Sequence, residues 1–342
     1  MRDSNLELFR IIVMLFIIAH HYVVNSEISQ LMTDSEIDNR VIFFRLFGAW
    51  GKTGINCFVM ITGYFMCTSQ ITLRKFLKLY LEYKFYQYAI WGIFYTFGIA
   101  SISAKTFTWL LPFTKINTSF TNAFMAFFLF IPFLNILVHN MTRLQHFLLT
   151  ALLLWIYTIM EMTLSVTYNY LSWFITLYMV ASFTRLYGLP HNNSPRFWGW
   201  ITLTLFVFAC ISIIVFTYMG QHNTYFLVSD SNHILALLLA ISSFMFFKNL
   251  RIQYSTFINN VGATTFGVFL IHTSGHEMRQ WLWYDIVDCG GHYEDTYFWV
   301  YSIFTVLAIF IICSSIDRLR IIFLEKWAFK VIDPIIDKCK FK

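Results

Sequence analysis

The stretch Leu8-Phe-Arg10-Ile-Ile-Val-Met-Leu-Phe-Ile-Ile-Ala-His20-His21-Tyr-Val-Val24 decides the class of the fold. It is close to the length a helix needs to cross a hydrocarbon core of about 30 Å, yet it carries an arginine and two histidines. Arg10 and His21 are eleven positions apart. At about 100° per residue they differ by about 20° around a helix and lie about 16 Å apart along it. They therefore share one face, from which His20 is turned by about 100°. Ionisable groups at membrane depth generally face a protein interior or a water-filled cavity and mark a site. An arginine near one end can grip phosphates through charge-assisted hydrogen bonds. A histidine deeper on the same face can take a proton from an attacking hydroxyl. The same pattern also fits an arginine that snorkels to the interface and a histidine that bonds a neighbouring helix.

The rest of the chain extends that membrane character. Of its 342 residues, 58% are hydrophobic and 12% charged, roughly half the charged fraction of a soluble domain. Phe, Tyr and Trp make up 20%, which suits lipid contact and interfacial belts. The net charge of +6 is spread as clusters beside apolar runs, so it points to membrane lipid and not to nucleic acid. Six cysteines without CxxC or ligand spacing predict neither a disulfide framework nor a metal site. The first apolar run is not read as a cleavable signal, because it carries Arg10 and two histidines and no small-residue site follows it.

Ten apolar stretches fall near 8–25, 49–67, 79–101, 119–138, 147–161, 170–187, 197–218, 232–247, 259–274 and 297–314. They predict an all-α integral membrane protein, a bundle of about ten transmembrane helices. If every stretch crosses and the N-terminus is cytoplasmic, 18 of the 24 basic residues fall inside. Lysine and arginine favour the cytoplasmic side, so both termini are predicted there, in a multi-pass protein of the plasma membrane. Residues 1–316 form one membrane domain. Residues 317–342 read as a cytoplasmic amphipathic tail with its cations near anionic headgroups. Two outside loops, 26–48 and 275–296, combine carboxylates with aromatics. Trp281, Trp283 and Tyr284 suit either stacking on sugar rings or an interfacial belt.

Four stretches in order resemble the acyltransferase 3 family of integral membrane acyltransferases. Asn5-Leu-Glu-Leu-Phe-Arg10, then ten residues, then His21, resembles its Arg-x10-His motif. Gly54-Ile-Asn-Cys-Phe-Val-Met-Ile-Thr-Gly-Tyr-Phe65 resembles its second-helix pattern. Arg74-Lys75-Phe-Leu-Lys78 resembles the basic cytoplasmic loop after it, and Thr265-Phe-Gly-Val-Phe-Leu-Ile-His272 resembles its Ile-Tyr-Leu-hydrophobic-His ending. Departures are Glu7 where many members have Asp, and Thr62-Gly63 where they have Ser-Gly; both keep the functional group. The absence of a fused hydrolase-like domain resembles the stand-alone form.

The resemblance implies transfer of an acyl group, usually acetyl from acetyl-CoA, to a hydroxyl of an extracytoplasmic glycan or lipid-linked sugar. In it Arg10 helps hold the donor and His21 is the catalytic histidine, with either a covalent acyl-histidine or direct transfer. Other candidates come from position. His272 lies at a depth similar to that of His21 and is a candidate second member, or else a packing residue. Arg74, Lys75 and Lys78 sit where CoA phosphates would arrive, or serve as a positive-inside anchor. Glu161, at the outer end of the fifth stretch, is a candidate to orient an imidazole or contact acceptor. A transporter is the alternative function, since buried charges serve passage too. It lacks support from an internal repeat.

Overall fold

A computed structural model describes residues 3–102, 104–111, 114, 119–164, 169–191, 193–220 and 224–338. Arg2, Lys115, Cys339, Lys340 and Lys342 lie outside these. Among the described residues the chain is all helical, with no strand. Each of the ten apolar stretches holds a helix. In chain order the elements are α1 (Ser4–Val24), α2 (Ile28–Asp34), α3 (Asn39–Phe47), α4 (Gly51–Met66), α5 (Leu73–Thr96) and α6 (Ala104–Leu110). There follow α7 (Phe120–Asn140), α8 (Arg143–Leu154), α9 (Glu161–Leu164), α10 (Tyr170–Tyr187), α11 (Pro195–Tyr218) and α12 (Ile234–Asn249). The last five are α13 (Thr256–Gly262), α14 (Thr265–His272), α15 (Gly275–Gln280), α16 (Phe298–Leu319) and α17 (Lys326–Lys338). Among the described residues, five helical runs are long and apolar enough to cross a membrane: Ser4–Val24, Phe120–Asn140, Arg143–Met160, Pro195–Tyr218 and Phe298–Asp337.

Helix starts follow local chemistry. Ser119, Thr142, Asn169 and Ser194 each accept a backbone N–H from the first turn of the helix they precede, and Gln145 completes a capping box with Thr142. Thr72 does the same for α5, bonding the Lys75 amide. That cap starts the helix early, so Arg74, Lys75 and Lys78 stand on its first two turns and not in a loop.

The ninth apolar stretch is broken. Thr264 donates its hydroxyl to the Val261 carbonyl (2.7 Å) and meets Ser314 Oγ at 2.6 Å, which ends α13 and restarts the chain as α14. The tenth runs on: from Phe298 the helix continues through a π turn at Arg320–Glu325 to the end of α17, and the expected boundary at 317 falls within it.

Helix α1 is central, packing on α4, α12, α13, α14 and α16. Gly54 lets α4 approach the Ile17 side chain, at 2.8 Å from where a Cβ would stand. Asn56, fully buried, donates to the Ser231 carbonyl and accepts from Trp173 Nε1, tying α4 to α10. Residues 26–48 and 275–296 are not open loops. Tyr22 meets Trp283 edge-on at 5.9 Å, Phe44 stacks on Tyr293 at 5.5 Å, and Arg40 pairs with Glu294. Trp283 is fully buried and Trp281 packs on Phe94, so neither ring forms an exposed sugar platform. Burial pushes the Cys289 thiol in this cap up to about 12, which leaves it unreactive.

Candidate active site

The break before α14 brings His272 to α1. The ring of His272 is fully buried, and its Nδ1–H donates to the Val268 carbonyl at 2.6 Å. Its Nε2 lies 3.0 Å from Nδ1 of His21. The backbone carbonyl can only accept, so the network assigns the His272 proton to Nδ1 and makes its Nε2 an acceptor. His21 must then donate through Nδ1–H, and its own Nε2 keeps the lone pair. Phe269 flanks both rings, at centroid distances of 6.3 and 6.0 Å. One main-chain carbonyl thus fixes the tautomers of two histidines that are 251 residues apart.

His21 lines a cavity of about 820 Å³. Its walls combine aromatic faces, from Trp91, Trp109, Phe120, Tyr170 and Phe269, with Lys52, His276, Glu277 and Arg279. Lys52 reaches Asp230 at 3.4 Å and Tyr170 Oη at 3.3 Å. His20 lines the cavity as well, its Nδ1–H donating to the Gly48 carbonyl at 2.6 Å. A Cβ at Gly51 would run into the His20 ring, so that glycine makes room for it. Rings that can stack on a sugar and polar groups that can bond hydroxyls therefore surround an imidazole able to accept a proton.

The other predicted residues go elsewhere. Arg10 pairs with Glu7 at 2.7 Å one turn back on α1. Arg74 forks onto Asp333 and lies over the Phe329 ring, Lys78 pairs with Glu325, and Lys75 donates to Ser69 and the Gln70 carbonyl. Glu161 begins α9, and one of its carboxylate oxygens is buried with no partner among the described residues. None of these five lines the histidine cavity.

Lys52, Trp91, Trp109, Tyr170 and Arg279 escape the sequence reading, which sets His20 aside as turned away from the His21 face. These residues meet across five elements or connections.

Fold and site together define a membrane protein in which His21, backed by the buried His272, faces a cavity with the means for proton transfer to or from a hydroxyl. The profile of the acyltransferase 3 family, an acyltransferase domain, matches residues 3–317, and the chain belongs to that family. No match was found among curated proteins or among solved structures.

Proposed function

We propose that this membrane acyltransferase moves an acyl group, acetyl for preference, from acyl-CoA to a hydroxyl of an extracytoplasmic glycan or lipid-linked sugar, with His21 as general base. The observation that carries this reading is the His21–His272 pair at the cavity wall. The acceptor hydroxyl gives its proton to His21 Nε2 as its oxygen attacks the thioester carbonyl. The carbon–sulfur bond breaks, and the departing thiolate takes the proton to leave as free CoA. Positive charge that forms on His21 is met by the Nε2 lone pair of His272, so the second ring positions the first and shares its load.

Donor binding is proposed for the Arg10 end of the same helix face. Arg10 lies about 16 Å along α1 from His21, a separation suited to a donor whose phosphates and thioester are joined by a long arm. Arg74, Lys75 and Lys78 are candidate phosphate contacts, in which case Arg74 and Lys78 give up Asp333 and Glu325, and Lys75 gives up Ser69 and the Gln70 carbonyl, for the donor. Glu161 stays a candidate acceptor contact only if the acceptor extends beyond the cavity. The proposed setting is the plasma membrane, with about ten crossings and both termini cytoplasmic.

The test is release of free CoA from acetyl-CoA, with label transfer to glycan, in membranes holding matched amounts of wild type or His21→Ala. Loss of both signals in the variant, with acetyl-CoA still bound, supports the reading. Background signals from both proteins, with no acetyl-CoA binding, would overturn it and favour transport.

A further inference from the structure

A lysine buried in a membrane helix is costly unless it does something there. Lys84 lies on the fourth turn of α5 and is only 5% exposed. Among the described residues it pairs with no carboxylate. Its ammonium donates instead to Gln87 Oε1 at 2.7 Å and to the backbone carbonyl of Leu110 at 2.6 Å, beside the Tyr83 ring. Gln87, also buried, donates to the Trp109 carbonyl at 2.6 Å. Asn122 donates to the Thr114 carbonyl at 2.6 Å.

These contacts mean that the chain turns back into the bundle. It leaves α5 at Thr96, twelve residues beyond Lys84. By Trp109 and Leu110 it has returned roughly 10 Å along the α5 axis, allowing for side-chain reach. Non-helical backbone at such depth survives only where protein or a wet cavity satisfies it. The last carbonyls of a helix have no partner within it, and α6 ends at Leu110. A cation at a helix C-terminus is the favourable partner. Thr106 and Trp109 of this returning segment line the histidine cavity, and the Trp109 ring lies against Gly275 at the start of α15.

We propose that Lys84, seconded by Gln87, is a positioning residue that clamps segment 104–110 as a wall of the histidine cavity and holds Trp109 beside the acceptor. The role in acceptor binding rests on the acyl-transfer reading; the clamp itself does not. Lys84 touches neither donor nor acceptor. It acts on the Leu110 carbonyl directly and on the Trp109 carbonyl by way of Gln87.

The experiment is backbone hydrogen exchange on the full chain in nanodiscs, comparing wild type, Lys84→Met, Lys84→Arg and Gln87→Leu. Peptides covering 104–111 report the wall, and a peptide from α10 reports the bundle. Loss of a charge-assisted bond predicts exchange in 104–111 about tenfold faster in Lys84→Met. The α10 peptide stays unchanged, arginine restores most of the protection, and Gln87→Leu gives a smaller local effect. Unchanged protection of 104–111 in Lys84→Met overturns the clamp. If that variant loosens both regions, Gln87→Leu decides, with local loosening supporting the clamp and none overturning it. CoA release in native membranes, measured in parallel, should fall with Lys84→Met and recover with Lys84→Arg. If wild type releases no CoA while the exchange pattern holds, the acyl-transfer reading fails and the clamp stands.

Discussion

Two buried polar clusters, one that includes His272 of α14 and one on helices packed against α14, have opposite characters. At one, His21 and His20 meet the large cavity, with the buried His272 behind His21. At the other, Arg320 sits between Glu82 at 3.0 Å and Asp317 at 2.6 Å, reaches Glu325 at 3.2 Å, and shares Asp317 with the Tyr86 hydroxyl at 2.7 Å. Asp317 is fully buried, in a space that Gly267 leaves open because a Cβ there would strike the carboxyl. The second cluster carries more charge, yet its groups close on one another. The first is built from rings tied by hydrogen bonds, but one ring nitrogen of His21 is left over beside open space. Burial of charge alone does not mark chemistry. Spare hydrogen-bonding capacity at a cavity does.

That contrast can be broken at either end. His21→Ala should lower CoA release from acetyl-CoA by about 10³-fold, the scale of a lost general base, while the melting temperature in detergent stays near wild type. The reverse pattern is expected for Arg320→Met. Removing the guanidinium leaves Glu82 and Asp317 buried without their counter-charge, a loss of about 3–5 kcal/mol that should appear as poor expression and early thermal unfolding. If Arg320→Met folded as well as wild type, the second cluster would not be a structural lock.

His272→Ala sharpens the comparison, because it removes only the acceptor for His21 Nδ1–H. The expected fall in kcat is about 10²-fold, with acetyl-CoA affinity kept. Glutamine, whose carbonyl can accept the same bond, should recover part of it. Gly51→Ala pushes against the His20 ring, and overpacking of that kind costs about 1–3 kcal/mol; thermal unfolding with and without acetyl-CoA measures it. The smallest effect is expected from Lys78→Ala, since exposed ion pairs contribute about 0–1 kcal/mol. A large rise in the acetyl-CoA KM of that variant, with unchanged stability, would move Lys78 from the tail contact to the donor.

Much of this was open to reading from residue types. The spacing of Arg10 and His21 on one apolar run placed both on one helix, and a depth similar to that of His21 made His272 a candidate second member, with a packing role as the alternative. The family match over 3–317 agrees with the resemblance those motifs carried. The extents of the elements were less legible. Thr264 breaks the ninth stretch through bonds to Val261 and Ser314, and the second of these needs α16 in place. The basic run at 74–78 begins a helix because of Thr72, and its partners Glu325 and Asp333 come from the far end of the chain. The loop tryptophans read as a possible sugar surface, but Trp283 found Tyr22 and became core.

Composition and periodicity determined a helical membrane chain, since hydrophobic length and helix phase are local properties. A fixed spacing on one helix likewise determined that Arg10 and His21 share a face. Tertiary structure alone decided which polar groups meet. Lys84 found its place only when the Leu110 carbonyl came back to it, and His21 gained a defined tautomer only when Val268 fixed His272. A proton's place depends on the atom across the hydrogen bond, and that atom can lie 251 residues away.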